Sequence, residues 1–229
     1  MSIIKKKILT KVMLYLASNL FNQESSDILR KRLIHSDDWV DGKVSAKDST
    51  IKRNLQLNHC EEKTTITNEI IEAIKNNLVI NNFSFPDKIF NILFTRTGQG
   101  MYYGPHVDTP FIADCRRDLS FTIFLNKPEE YTGGELILYI PPERKKVKLN
   151  QGDIIIYPTK YLHEVTKVTD GERMVCVGWI KSLIKRDDER EDLYIMKTAI
   201  LEILEKHGNS SAIQNLNLIF NSLYKRSSN

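Results

Sequence analysis

Apolar residues recur at helical spacing in the first third of the chain. Asn22 or Ser25 can cap a first helix, and Thr67 can cap a second helix that continues to about Asn76. The second helix is expected to carry its apolar side chains on one face, namely Ile70, Ile71, Ile74 and Leu78. Residues 38–42 lie between the two helices and are expected to form a turn.

The middle of the chain, from Ile89 onward, alternates apolar and polar residues in the manner of half-buried strands. Turn residues interrupt this alternation at intervals of about eight to twelve positions. The candidate strands are residues 89–94, 119–125, 135–140, 147–149, 154–157, 162–166 and 173–179. Many short strands at this spacing are typical of a sandwich or barrel of the jelly-roll kind.

Helical spacing returns after Ile184. Residues 187–206 form one candidate helix that Gly208 can terminate, and residues 212–224 form another. We therefore predict a mainly β fold with flanking helices (α+β). Residues 1–184 are expected to form one domain with its β core at about 89–182, and residues 185–229 are expected to form a helical extension.

Charge and composition narrow the class of protein. Of the 229 residues, 41% are apolar and 27% are charged, which is ordinary for a globular domain. The formal net charge of +4 is much weaker than a dedicated nucleic-acid-binding protein would carry. Nucleic acid is therefore not the expected partner, and the basic cluster at residues 144–148 is interpreted as solvated surface.

The cysteines and the amino-terminal segment bear on location. Cys60, Cys115 and Cys176 are an odd number of widely separated thiols, which fits a reducing compartment better than a disulfide framework. The apolar segment Ile8–Phe21 is too short to span a bilayer, which takes about 20 apolar residues. Within it, the run Val12–Leu16 fits either a buried strand or a helix. We expect a cytoplasmic protein with no membrane partner.

A candidate metal site combines His106, Asp108 and His163. In an extended segment, residues i and i+2 point to the same face, so His106 and Asp108 can bind one ion. His163, from a distant strand, can complete a set that leaves three coordination positions open. Two histidines and one carboxylate suit iron(II) oxygenases. Zinc hydrolases use the same ligands, so the set alone does not identify the metal.

Arg173 adds a second component to this site. It lies ten residues after His163, across a turn, at the start of the next strand. Because neighbouring antiparallel strands are ~4.8 Å apart, Arg173 can share the cavity of His163. A buried guanidinium needs an anionic partner, and a diacid that chelates the metal at one end would supply one. The alternative makes Arg173 a surface partner of Asp170 or Glu172.

Further motifs accompany these residues in order along residues 10–205. They are Trp39-Val40-Asp41-Gly42, Lys52-x-Asn54-x-Gln56, Tyr103-Gly104-x-His106-Val107-Asp108, Asp118-Leu119-Ser120, Tyr131-x-Gly133-Gly134-Glu135-Leu136, Gly152-Asp153 with Tyr157-Pro158, Leu162-His163-x-Val165, Val168-Thr169-x-Gly171-x-Arg173 and Gly178-Trp179-Ile180-x-Ser182. Together they resemble the PKHD-type hydroxylases of bacteria and phages. That family is a branch of the iron(II)/2-oxoglutarate-dependent dioxygenases related to prolyl 4-hydroxylases.

The resemblance implies a double-stranded β-helix (cupin-like) core with flanking helices. It also implies that His106, Asp108 and His163 hold iron(II), that Arg173 binds 2-oxoglutarate, and that L-ascorbate keeps the iron reduced. The sequence departs from the family where Thr97 replaces a common Tyr. The loop from Thr109 to Arg117 is also short, and nothing in the family corresponds to the residues after about Gly208.

The expected activity is hydroxylation of a C–H bond with O2 and 2-oxoglutarate as co-substrates, giving succinate and CO2 as co-products. Tyr103 is a candidate second donor to 2-oxoglutarate. The substrate is left open between a peptide, including a prolyl residue, and a small molecule. The two alternatives are a non-catalytic metal and 2-oxoglutarate sensor and a nucleic-acid oxidative demethylase. Two chains can also pair as a homodimer through the carboxy-terminal helices.

Overall fold

The computed structural model describes residues 15–46 and 50–228. In chain order the strands are β1 (Leu16–Asn19), β2 (Trp39–Asp41), β3 (Lys52–Arg53), β4 (Leu55–Leu57), β5 (Pro86–Thr97), β6 (Tyr102–His106), β7 (Phe111–Ile112), β8 (Cys115–Arg116), β9 (Leu119–Phe124), β10 (Tyr131–Gly133), β11 (Leu136–Ile140), β12 (Glu143–Val147), β13 (Asp153–Pro158), β14 (His163–Val165), β15 (Val168–Gly171) and β16 (Arg173–Ser182). The α-helices are α1 (Gln23–Ile34), α2 (Glu61–Asn76), α3 (Leu78–Ser84), α4 (Asp187–His207) and α5 (Ser211–Ser227).

Two antiparallel sheets form the jelly-roll core. The larger has seven strands in the order β1-β13-β9-β16-β5-β4-β2, and the smaller has five in the order β12-β11-β14-β6-β3. Residues of both sheets line one shared cavity of about 290 Å³, so the two sheets face each other across it. Two further strand pairs, β10-β15 and β7-β8, stand outside these sheets.

Strand β9 at the centre of the larger sheet shows how the sequence separates core from cavity. All six of its residues are buried. Leu119, Phe121 and Ile123 belong to the core that the sheet shares with the helices, and Phe121 also reaches the cavity wall. Ser120 and Thr122 line the cavity without joining that core. The period of two thus places apolar side chains against the helices and hydroxyl groups towards the site.

The helices pack on the far side of the larger sheet from the cavity. Side chains of all five helices join the sheet in one apolar cluster, which includes Leu33, Ile70, Ile80, Leu193 and Phe220. A second, smaller cluster fills the space between the two sheets beside the cavity, and its members include Phe124, Leu138, Ile155, Tyr157 and Val175. The site is therefore supported by packed core on two sides.

The carboxy-terminal helices follow the sequence prediction closely. Helix α4 ends at Gly208, which has a φ of +70° and serves as its C-cap. The ring of Tyr194 in α4 lies 5.3 Å from that of Phe83, and the ring of Tyr224 in α5 lies 5.3 Å from that of Phe85. The predicted extension thus packs against α3 and the start of β5.

Three local predictions were wrong or partly wrong. Helix α2 begins at Glu61 with Cys60 as its N-cap, so it starts before the predicted cap Thr67. Leu78 does not continue the apolar face of α2, because it begins α3 and is 78% exposed. Residues 39–41 form strand β2 rather than a turn, since pairing with β4 at the sheet edge overrides the local pattern.

The structure describes part of the amino-terminal apolar run and all three cysteines. Of the run Val12–Leu16, residues 12–14 lie outside the described residues, and Leu16 begins strand β1. All three cysteines are free, and Cys176 is fully buried in the core. No helix within the described residues is long and apolar enough to cross a membrane.

Gly152 connects the turn before β13 to the end of β1. Its amide donates to the carbonyl of Phe124, and its own carbonyl accepts from the amides of Leu20 and Phe21. Its φ is +87°, and a Cβ atom there would fall 2.2 Å from the Phe21 carbonyl oxygen. Both the backbone conformation and the close approach therefore require glycine.

Gly152→Ala is expected to lower the free energy of unfolding by more than the roughly 1–2 kcal/mol that a left-handed conformation costs a non-glycine residue. The matched control is Gly100→Ala, because Gly100 has a similar φ of +81° but open space around the added carbon. Chemical denaturation of both variants measures the difference. Equal losses of unfolding free energy in the two variants would show that the backbone at Phe21 moves to make room for the added carbon at little cost.

Candidate metal centre

The two histidines of the candidate site meet across paired strands. His106 ends β6 and His163 begins β14, and the two residues are direct partners in the antiparallel register. Asp108 lies two residues beyond the end of β6 and not within the strand, unlike the extended segment assumed from sequence. One ligand atom from each of the three residues lies within 4.8 Å of the others.

Backbone carbonyl groups orient both imidazole rings. Nδ1 of His106 lies 2.8 Å from the Gly104 carbonyl oxygen, and Nδ1 of His163 lies 2.9 Å from that of Tyr161. A carbonyl only accepts, so each Nδ1 carries a proton, and in the neutral form of either ring Nε2 is the atom that can bind a metal. Burial, and then the neighbouring His163, lower the pKa of His106, which keeps it neutral and able to bind a metal.

The carboxylate of Asp108 is held from the opposite sheet. Its Oδ2 accepts a hydrogen bond of 3.0 Å from Ser120 Oγ in β9 and one of 2.9 Å from Trp179 Nε1 in β16. Its two oxygens each lie 3.9 Å from an Nε2 atom, Oδ1 from that of His106 and Oδ2 from that of His163. Two imidazoles and a carboxylate that converge in this way fit a divalent metal ion with open coordination positions.

Tyr103 faces the same cavity because β6 contains a bulge. Residues 103 and 106 would point to opposite faces of a regular strand. The register shifts between His163 and Val165, where two steps on β14 oppose three on β6. Pro105, which has no amide hydrogen, lies within this bulge. As a result the Tyr103 ring stacks on His106 with centroids 3.7 Å apart and an interplanar angle of 13°.

The hydroxyl of Tyr103 is a proton donor at neutral pH. Burial, and then the negative charge of Asp108, raise the pKa of Tyr103 to about 12. A protonated phenol in the cavity wall can donate a hydrogen bond to an anionic ligand. The role of Tyr103 as a second donor to 2-oxoglutarate stays a prediction.

Arg173 lies in the cavity, but it comes from a different sheet than the sequence suggested. Its strand β16 pairs with β5 and β9 in the larger sheet, whereas His163 belongs to the smaller sheet. The expectation that the two residues occupy neighbouring strands was therefore wrong. They share the cavity because the two sheets face each other across it.

The guanidinium of Arg173 is buried without an acidic partner among the described residues. Arg173 is 3% exposed, and its Nε has no hydrogen-bond acceptor. Its Cζ lies 5.6 Å from the centroid of the Phe124 ring. The alternative of a surface ion pair with Glu172 does not hold, because Glu172 pairs with Arg96 at 2.8 Å. A buried cation in this state is suited to an anionic ligand.

Tyr131 is a residue that the sequence reasoning did not assign. Its buried hydroxyl lies beside the Arg173 guanidinium, and neither the hydroxyl nor Arg173 Nε has a hydrogen bond of normal geometry. A Cβ atom at Gly134 would lie 3.1 Å from Arg173 Cδ and 3.2 Å from Tyr131 Cδ2, so this glycine makes room for both side chains. The motif Tyr131-x-Gly133-Gly134 was the available signal, but its role depends on which strands meet.

Two further cations in the cavity wall were also not assigned. Lys52 is 5% exposed, and burial lowers its pKa to about 8 although Asp108 and Asp41 oppose that shift. Arg117 places its Cζ 4.0 Å from the centroid of the Trp179 ring. Burial lowers the pKa of Arg117 as well, while Asp108 raises it.

The chain resembles known oxygenases in sequence. Residues 92–181 match the 2OG-Fe(II) oxygenase superfamily. A PKHD-type hydroxylase of Prochlorococcus marinus (strain MIT 9301) is 42% identical over 213 residues, which cover 91% of this chain and 95% of that relative.

Solved structures share the fold at lower identity. A Pseudomonas putida prolyl-4-hydroxylase has a TM-score of 0.52 and 19% identity, over 73% of this chain and 92% of that one. A Trichoplax adhaerens prolyl hydroxylase in complex with a peptide fragment of the hypoxia inducible factor has a TM-score of 0.54 and 16% identity, over 79% and 86%. Likeness at this identity establishes a common fold alone.

Trp179→Phe is expected to weaken metal binding about 10- to 100-fold, because it removes one of the two hydrogen bonds that orient Asp108. Anaerobic titration with iron(II) measures the dissociation constant. Trp39→Phe is the control, since Trp39 lies in β2, outside the cavity lining. Equal affinities of the two variants would show that Ser120 alone orients the carboxylate.

Proposed function

Because the chain belongs to the PKHD-type hydroxylases of the 2OG-Fe(II) oxygenase superfamily, and is thus an iron(II)- and 2-oxoglutarate-dependent dioxygenase, we propose that it hydroxylates a C–H bond and releases succinate and CO2. The observation that carries this proposal is the buried, unpaired guanidinium of Arg173 in the cavity of the His-Asp-His cluster. A site that only binds a metal ion would not need the positive charge of Arg173.

In this proposal, His106, Asp108 and His163 hold iron(II). The neutral Nε2 atoms and the Asp108 carboxylate supply three ligands, and the three remaining positions are open to 2-oxoglutarate and O2. Bound iron supplies the redox and O2 chemistry that amino-acid side chains lack. The contribution of the chain is to fix the ligand atoms through the carbonyls of Gly104 and Tyr161 and through Ser120 and Trp179.

Arg173 is proposed to bind the distal carboxylate of 2-oxoglutarate. Its planar fork matches a carboxylate, and its burial strengthens that ion pair. The hydroxyl of Tyr131, which is buried beside the Arg173 guanidinium, can donate to the same carboxylate. Tyr103, stacked on His106 beside the proposed metal position, is the candidate second donor. Apolar side chains of Leu136, Val165 and Val177 line the same cavity and exclude water from it.

The overall reaction balances as follows. One oxygen atom of O2 enters the C–H bond of the substrate, and the other enters the new carboxylate of succinate as 2-oxoglutarate loses CO2. We further propose that ascorbate keeps the iron reduced, as the family resemblance implies. The prolyl hydroxylases that share the fold support a peptidyl substrate, including a prolyl residue, and a small molecule is the second candidate.

We propose that residues 1–184 form the oxygenase domain and that residues 185–229 form a helical extension. Several apolar side chains on α4 and α5 are exposed, namely Ile195, Leu201, Ile203, Leu204, Leu218 and Ile219. Pairing of two chains through these helices would cover them and give a homodimer. Sedimentation equilibrium of the purified chain distinguishes a monomer from this dimer.

His106→Ala is expected to abolish both the visible absorption of the iron(II)–2-oxoglutarate complex and succinate formation, because it removes a proposed ligand. Anaerobic titration measures the absorption, and succinate is assayed in air. His59→Ala is the matched control, since His59 is exposed and does not line the cavity. Full succinate formation by His106→Ala would refute the ligand assignment. Absorption without succinate in the unsubstituted chain, across candidate substrates, would favour the sensor alternative.

Arg173→Met is expected to raise the 2-oxoglutarate concentration needed for half-maximal succinate formation by roughly 30-fold or more, since a buried charge pair loses one partner. Arg96→Met is the control, because Arg96 is the cross-strand neighbour of Met174 but pairs with Glu172 and does not line the cavity. An unchanged 2-oxoglutarate requirement in Arg173→Met would place the co-substrate elsewhere.

A further inference from the structure

Lys52 is a buried cation on the cavity wall with unused donor capacity. Its Nζ donates a hydrogen bond of 2.7 Å to Ser45 Oγ, which itself donates to Gln56 Oε1 at 2.6 Å. An ammonium group has three N–H donors. Within residues 15–46 and 50–228, no carboxylate forms an ion pair with Lys52, although Asp108 and Asp41 attract it. Two of its donors are therefore free for a ligand.

Arg117 is a second cation in the same wall. Its Nη1 donates to Oγ1 of the exposed Thr109 at 3.1 Å, which places this side chain towards the outer end of the cavity. Its Nε is buried and has no hydrogen-bond partner. In the part of the chain that the structure describes, Arg117 forms no ion pair with a carboxylate. It too retains a donor for a ligand.

The two cations flank one region next to the proposed metal position. Lys52 Nζ lies 5.2 Å above the centroid of the Tyr103 ring, which stacks on His106. Arg117 lies on the ring of Trp179, whose Nε1 donates to Asp108. Both cations also act electrostatically on residues of this region, Lys52 on His106 and Arg117 on Tyr103. Each is thus one aromatic ring away from a proposed metal ligand.

The charges of the cavity do not balance when the co-substrate is added. Among residues 15–46 and 50–228, the charged residues that line it are Lys52, Asp108, Arg117 and Arg173. Iron(II) with Asp108 carries one positive charge and Arg173 carries another, and the dianion 2-oxoglutarate neutralises both. No carboxylate of the described residues pairs with Lys52, which is buried, or with Arg117, which is half-buried. A cation withdrawn from water without an anion is costly, so the remaining ligand is expected to supply the negative charge.

We propose that the substrate of this enzyme carries a carboxylate, and that Lys52 and Arg117 bind it beside the C–H bond that is hydroxylated. This inference rests on the proposed function, because it assigns 2-oxoglutarate to Arg173. The carboxylate can belong to a free small-molecule acid or to an acidic residue of a peptide. Lys52 and Arg117 are then specificity-determining residues, and a neutral analogue binds poorly.

Fluorescence quenching by an anion tests whether the cavity has a positive electrostatic potential. The test does not require the substrate to be known. The chain has two tryptophans, so Trp39→Phe leaves Trp179 as the sole emitter. Iodide and neutral acrylamide are compared on this variant, loaded anaerobically with iron(II) and 2-oxoglutarate. The added change Lys52→Met is expected to lower the ratio of iodide to acrylamide quenching about threefold or more, since the cavity no longer concentrates anions. Lys52→Arg should retain the ratio.

Lys88→Met in the same background is the matched control, because Lys88 is exposed and also lies over an aromatic ring, 6.0 Å from the centroid of Phe90. An equal ratio in Lys52→Met and Lys88→Met would overturn the proposal. So would a 2-oxoglutarate requirement that rises in Lys52→Met as much as in Arg173→Met, since Lys52 would then serve the co-substrate.

Matched acid and amide probes identify the class of substrate. N-acetylalanine is compared with its amide, and the capped peptide Ala-Glu-Ala with Ala-Gln-Ala, for protection of Trp179 against iodide. Each acid is expected to protect at concentrations about tenfold or more below its neutral analogue. Protection by N-acetylalanine alone indicates small-molecule acids, and protection by the Glu peptide indicates acidic peptides. Acids that protect no better than their amides would overturn the proposal.

The visible absorption of the iron(II)–2-oxoglutarate complex distinguishes failure of the proposed function from failure of the substrate proposal. If the Trp39→Phe variant lacks this absorption, the proposed function fails and the substrate proposal falls with it. If the absorption is present while iodide shows no dependence on Lys52, the substrate proposal alone is refuted.

Discussion

One oxygen of Asp108 connects the two sheets of this fold. The residue follows β6 of the smaller sheet, yet its Oδ2 accepts hydrogen bonds from Ser120 and Trp179 of the larger sheet. The spacing between the sheets therefore sets the position of the carboxylate relative to the two histidines. The core that packs the larger sheet against the helices acts on the site through this connection, because it fixes β9 and β16. The site thus depends on packing well outside the cavity.

The same facing of the two sheets explains the charge pattern of the cavity. The smaller sheet and the segment after β6 bring His106, Asp108 and His163, and the larger sheet brings Arg173. Burial would destabilise each of these charged groups if it stood alone. Together with a metal ion and a dianion they form a nearly neutral assembly, which accounts for the presence of buried charge in an otherwise apolar interior. Lys52 and Arg117 add two further positive charges, which the proposed carboxylate of the substrate would help to balance.

The sequence was sufficient to predict those elements whose structure follows from their own local pattern of residues. The buried strands β9 and β13 and the helix ending at Gly208 have clear periodicity, and their predicted bounds agree with the structure within a few residues. The convergence of His106, Asp108 and His163 was also anticipated and is present in the geometry. Their roles as ligands stay predictions.

Other features depend on which segments meet in space. Strand β2 exists because β4 pairs with it, and no local pattern marks that partnership. Arg173 was placed in the right cavity through the wrong neighbour, since turn length does not tell which sheet receives the following strand. Tyr131 lies in a recognisable motif, but its position beside Arg173 depends on which strands meet. Lys52 and Arg117 gave no signal as ligand-binding residues, because exposed and buried basic residues look alike in a sequence.

The bulge in β6 makes strand register a determinant of this site. Tyr103 and His106 stack in the cavity because one unpaired position separates their registers. Residues three apart point to opposite faces of a regular strand, so the same side chains without the bulge would leave one of the two rings outside the cavity. The way in which β6 pairs with β14 is therefore as important to the site as the identity of its side chains.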